Sequence, residues 1–166
     1  KAIGSKIILT LNAGVSNENK KSQGASAIAA AMVSDEMNKL KLPEYNCVAA
    51  LTNDFTKINI QFNGNEHLQT VFSSLANAMN YFPKDSYNLK NISAQNININ
   101  SDATYLTLPE KAATNIIFAE SAYRYGTAEQ LLFENADAKK IETYKKIFYC
   151  PTNAMLIVYG NYHHQD

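Results

Sequence analysis

The residues able to do chemistry are few and scattered. There are three histidines. His67 follows Glu66 at a helix start and reads as a surface residue. His163 and His164, with Asp166 nearby, could ligate a metal. Adjacent side chains on an extended chain point to opposite faces, however, and seldom share one ion. Asp35 and Glu36 are neighbours on a helix and read as a solvated face, because an acid/base couple needs both carboxyls to converge on one point. The two cysteines, Cys47 and Cys150, are too few for a multi-bridge framework and read as reduced, half-buried thiols. No His-Glu-x-x-His, no cysteine pair at metal spacing and no Gly-x-Ser-x-Gly is present. Gly14, Gly24 and Gly64 do not form a phosphate-cradling loop. Asn91-Ile92-Ser93 is a glycosylation sequon, which matters only in a secreted chain. Residue types alone therefore assemble no catalytic set, and no cofactor is expected.

The elements that would have to position such residues come from one domain spanning 1–166. A chain of 166 residues, 46% hydrophobic and 18% charged, has enough apolar material for a core and too little charge for disorder. Lys+Arg and Asp+Glu number 15 each, for a formal net charge of zero. The only arginine is Arg124. A nucleic-acid partner is excluded on this count, since phosphate binding needs a basic excess. The longest apolar run, 25–33, falls well short of the ~20 residues that span a bilayer. The N-terminus shows no signal-peptide pattern, which leads us to expect a mature form or a fragment.

Along the chain, 6–12 (KIILTLN) is β-branched and reads as a strand. A polar loop from Ala13-Gly14 follows. Residues 24–40 read as an alanine-rich helix with Ile28, Ala31, Met32 and Leu40 on one face, stopped by Pro43. The runs 45–52 and 55–62 flank the turn signal Asn53-Asp54 and predict a hairpin. In the second run Thr56, Ile58, Ile60 and Phe62 alternate with polar residues, so one face is buried. Gly64-Asn65 opens an amphipathic helix through Met79. Helices are expected over 85–94 and 109–124, and 96–101 (NININS) is either a short strand or a frayed helix. A last helix runs from Ala136 or Asp137 to Phe148. After Pro151, 154–159 (AMLIVY) reads as a buried strand. Hairpins mixed with helices give an α+β fold: a mostly antiparallel sheet with helices packed on one face.

Three segments carry a family pattern. In 6–32 a strand leads to Gly14, a polar loop with Glu18, and Gly24 opening a helix. Residues 50–56 (ALTNDFT) form a Thr/Asp/Thr hairpin. In 144–161 (YKKIFYCPTNAMLIVYGN), Tyr149, Pro151, Asn153, Met155 and Gly160 fall in step. Together they resemble the pitrilysin/insulinase-type zinc peptidases, the family of the mitochondrial processing peptidase and the core proteins of the cytochrome bc complex. The resemblance covers about 6–161 and implies one half-lobe of that fold, without the family's first strand pair.

In active members of that family the helix after the second glycine carries His-x-x-Glu-His, with two histidines on Zn²⁺ and a glutamate activating water. Counted from Gly24, those places fall on Ala27, Ala30 and Ala31, and methyl groups neither ligate a metal nor move a proton. The third ligand has no clear counterpart; Glu110 is the nearest acid. The resemblance thus implies a non-catalytic structural subunit, in mitochondrial respiratory complex III, on the matrix side of the inner membrane. Its partners would be other protein subunits, with no direct membrane span. It equally allows the substrate-binding, non-catalytic half of a zinc peptidase heterodimer, or a peptide-binding module.

Overall fold

The computed structural model describes residues 4–19, 22, 24–82, 97–99, 113, 116–117 and 137–160. Strand β1 (Ser5–Leu11) lies inside the sheet and buries Ile7, Leu9 and Leu11 on one face. Strands β2 (Asn46–Leu51) and β3 (Thr56–Phe62) form the expected hairpin. Its turn is closed by Thr52, whose Oγ1 accepts from the N–H of Phe55 at 3.0 Å and of Asp54 at 3.3 Å. Strand β4 (Ile97–Ile99) settles the ambiguity of the NININS stretch and pairs parallel with β2. Strand β5 (Ala154–Tyr159) pairs antiparallel with β1. The order is β4-β2-β3-β1-β5, so four antiparallel strands carry one short parallel strand at the edge.

Among the described residues, three helices cover one face of this sheet. They are α1 (Ala25–Met37), α2 (Leu68–Asn80) and α3 (Ala138–Phe148). Their apolar residues join Ile7, Leu9, Leu11, Cys47, Ala49, Ile58, Ile60 and Phe62 in one core. On β3 the other face carries exposed Lys57 and Gln61, the alternation that a half-buried antiparallel strand requires. This is the α+β layer arrangement expected from the sequence.

Two elements differ from expectation. Helix α1 ends at Met37, and every residue from 25 to 34 is buried, where one apolar stripe was expected. The cause is crowding: α1 touches β2, β3, α2 and α3, and alanines let neighbours approach from several sides. The second difference is a correction. Strand β5 is not a buried strand: Met155 is 57% exposed, Leu156 47%, Val158 37% and Tyr159 53%. It is the terminal strand of the described sheet, and of its residues only Ala154 packs against the core among the described residues. The helices expected over 85–94 and 109–124 lie almost wholly outside the described residues, of which 113, 116 and 117 are helical.

Candidate functional site

The loop leaving β1 is where the sequence pattern becomes geometry. Gly14 lies so close to the β2–β3 turn that a Cβ there would collide with the backbone carbonyl of Asn53. That approach lets Val15 N–H donate to Thr52 O at 3.3 Å and Ser16 N–H to Asn53 O at 2.8 Å. The Ser16 hydroxyl adds a bond to Asp54 Oδ1 at 3.1 Å. From the core side, Thr56 Oγ1 donates to Ala13 O at 2.5 Å and the Tyr144 hydroxyl donates to Gly14 O at 3.0 Å. Asn153 closes the ring, its Nδ2 donating to Asn12 O at 3.0 Å and Phe148 O at 2.8 Å. Residues from three distant stretches of chain thus converge on the loop backbone of 12–16.

Glu18 follows this loop and is bonded to the start of α1. It is 7% exposed. Its Oε2 accepts from Gly24 N–H at 2.8 Å, and its Oε1 accepts from Ser26 N–H at 2.8 Å and the Ser26 hydroxyl at 2.5 Å. Gly24 stands at the N-cap with φ +83°, a left-handed conformation that glycine adopts without a Cβ penalty. It has no side chain to cap the helix, so Glu18 supplies the carboxylate from outside. Burial raises the Glu18 carboxyl above the usual carboxylate range, against the lowering pull of the Ser26 hydroxyl and the Gly24 and Ser26 N–H groups.

One turn into the helix lie Ala27, Ala30 and Ala31, each fully buried. Ala27 packs with Val15 and Leu51, and Ala30 and Ala31 belong to the main core. These residues do not fit a zinc ion: three methyl groups offer no donor, and both oxygens of Glu18, the acid at the helix start, are already engaged with the helix N-terminus. Among the described residues no three His, Cys, Asp or Glu side chains gather as a metal-binding group. What the arrangement does chemically is fix a helix start against a loop.

The other candidates are dispersed. His67 ends a 3₁₀ turn before α2, half-buried, with Nε2 3.7 Å from Glu66 Oε1. Asp35 and Glu36 sit late in α1 and are half-buried, less solvated than the sequence suggests, and Glu36 pairs with Lys39. Cys47 and Cys150 are free thiols. Cys47 is fully buried, which pushes its thiol up to about 12 and makes it inert as a nucleophile. Glu110, His163, His164, Asp166 and the Asn91 sequon lie outside the described residues.

Lys145 reads from the sequence only as one more position of the last helix. It is 1% exposed, and its Nζ donates to Ala78 O at 3.1 Å and Tyr81 O at 2.7 Å, closing the C-terminus of α2. Burial lowers its ammonium to about 8, and Glu36 opposes that shift. The Tyr149 hydroxyl is buried and, among the described residues, makes no hydrogen bond. Lys145 falls within the expected last helix, but nothing in the sequence shows which carbonyls it would meet.

Neither a protein-family model nor a curated protein matches the sequence. Solved structures do match the fold. A predicted insulinase-family protease from Yersinia pestis superposes with a TM-score of 0.69 at 15% identity, covering 99% of this chain and 39% of that one. A protease from Helicobacter pylori gives 0.64 at 13%, covering 98% and 42%. A chain of complex III2 from Candida albicans gives 0.57 at 14%, covering 99% and 39%. The chain therefore spans less than half the length of each of these relatives. At such identities the likeness defines the fold, which is the α+β unit found in pitrilysin/insulinase-type proteases and in a chain of complex III.

Proposed function

We propose that this chain is a non-catalytic structural subunit of the processing-peptidase/core-protein type. Its place would be the matrix side of the mitochondrial inner membrane, within respiratory complex III, and its work the burial of surface against other protein subunits. The observation that carries this reading is the pairing of a kept scaffold with an absent donor set. Gly14, Glu18 and Gly24 still build the loop and helix start, while Ala27, Ala30 and Ala31 are packed as core. The complex III neighbour supports the assembly. Among the described residues no helix is long and apolar enough to cross a membrane, which fits a subunit held by protein contacts.

The test is purification from source followed by metal analysis, a peptidase assay and native mass spectrometry. Expected are less than one tenth of a zinc per chain (a threshold on the order of trace contamination), no chelator-sensitive proteolysis, and co-purifying cytochromes. Stoichiometric zinc with proteolysis blocked by a chelator would overturn the reading. A second reading is favoured by the protease neighbours: the non-catalytic, substrate-binding half of a zinc peptidase heterodimer. Co-purification with a chain carrying His-x-x-Glu-His would select it.

A further inference from the structure

Asn63-Gly64 is the only Asn-Gly pair in the sequence. In such a pair the glycine nitrogen readily reaches the side-chain amide carbon of the asparagine, because glycine has no Cβ to obstruct the approach. The fold leaves the pair outside regular structure. Strand β3 ends at Phe62, and a 3₁₀ turn begins at Asn65. Both residues are part-exposed, and Gly64 has φ +89°. Two carboxylates flank the pair. Asn63 Nδ2 donates to Glu44 Oε2 at 2.6 Å. Glu66 folds back on Gly64, so that its carboxylate fills the place a Cβ of residue 64 would take. Glu44 is itself strained: among the described residues it is the one non-glycine with positive φ, at +48°.

We propose that Asn63 is a site of spontaneous, one-way covalent modification, in which the backbone nitrogen of Gly64 closes a succinimide ring on the Asn63 side chain. The Glu66 carboxylate beside Gly64 takes the proton of the attacking N–H and passes it to the departing nitrogen. A bond forms between Gly64 N and Asn63 Cγ, the Cγ–Nδ2 bond breaks, and the amide leaves as ammonia. Water, the only co-reactant, then opens the ring. Breaking the bond from Gly64 N to Cγ gives aspartate. Breaking the bond from Gly64 N to the Asn63 backbone carbonyl carbon gives isoaspartate, which adds a methylene to the main chain. No electron changes hands. Either product puts a carboxylate where the amide now donates to Glu44, with Glu66 close by. A charge-assisted hydrogen bond becomes a contact between like charges, in the turn that leads β3 into α2. The modification therefore marks the age of the chain and loosens this turn. It does not rest on the non-catalytic reading, since no residue of that argument takes part.

The test is incubation of the folded full chain in mildly alkaline buffer, beside the same chain unfolded in guanidinium, with peptide mapping by mass spectrometry and enzymatic methylation to detect isoaspartate. Asn63 is expected to convert in the folded chain at a rate within about tenfold of the unfolded one. Both aspartate and isoaspartate should appear at position 63, and neither in Asn63→Gln. Glu66→Gln is expected to slow conversion on the order of tenfold in the folded chain only, less than the ~100-fold a fully engaged base supplies. Asn63→Asp, which fixes the product charge, should lower the urea midpoint, and adding Glu44→Gln should restore it. An Asn63 that stays intact in the folded chain after the unfolded chain has converted would overturn the proposal. Conversion of Glu66→Gln at the wild-type rate would remove the base, and an Asn63→Asp chain with an unchanged midpoint would remove the consequence for the turn.

Discussion

Helix α1 and strand β5 are both apolar by composition, and they meet opposite environments. Every residue from 25 to 34 is buried, while four of the six residues of Ala154–Tyr159 are exposed. Hydropathy does not separate them; neighbours do. Helix α1 lies between the sheet and two other helices. Strand β5 is the last strand of the described sheet and has β1 on one side only. An apolar segment with neighbours all round tolerates no change of polarity. One at an edge is energetically loose, because side chains that stay half in water gain little from the core.

The comparison breaks first, and with the largest effect, at Ala30. Ala30→Glu puts an acid at the place that the family resemblance assigns to a catalytic glutamate. Here it would push a carboxyl into a site with no exposed surface. The expected cost is about 3–5 kcal/mol, from an unpaired buried charge together with overpacking. Urea denaturation measures it. A loss under about 0.5 kcal/mol would mean that the alanine face opens to solvent, and the contrast between helix and strand would be gone.

The sequence made the framework legible for definite reasons. The alternation in β3, the Asn53-Asp54 turn, the last helix starting at Ala136 or Asp137 and the glycines at 14 and 24 are local signals, and the structure has the strand, the turn and the helix starts there. The resemblance segments were legible as a set, and the structure brings their residues together around the loop after β1. What could not be read was whatever depends on a third body. A run such as AMLIVY looks the same at the centre of a sheet and at its edge, because periodicity reports the strand and not its neighbours. The all-round burial of α1 was hidden in the same way: alanine is compatible with one contact face or several. Lys145 was illegible because its partners, Ala78 O and Tyr81 O, are 64 and more residues away.

A second break concerns titration. The helical layer contains a buried ammonium, and β5 before Tyr159 contains no titratable side chain. The folded Lys145 loses its proton near about 8, whereas the unfolded lysine holds it to about 10.4. Between those values the unfolded chain binds more protons, so this residue's contribution to stability rises with pH. Cys47 and the buried tyrosines are shifted upward and work in the opposite sense at higher pH. The difference between wild type and Lys145→Met isolates the lysine. It should move in favour of the wild type by about 1.4 kcal/mol per pH unit at the steepest part of that window. A flat difference from pH 7.5 to 9.5 would place the ammonium in contact with water.

The smallest expected effect sharpens the comparison most. Leu156 and Leu11 are the same side chain on neighbouring, paired strands, on the same face of the sheet, and they are 47% and 0% exposed. Leu11→Ala removes packed core volume and should cost about 2–5 kcal/mol. Leu156→Ala removes a side chain already half in water and should cost roughly 0.5 kcal/mol in the same urea denaturation. Equal costs for the two leucines would show that β5 is covered in solution, and would return it to the buried strand that its sequence suggests.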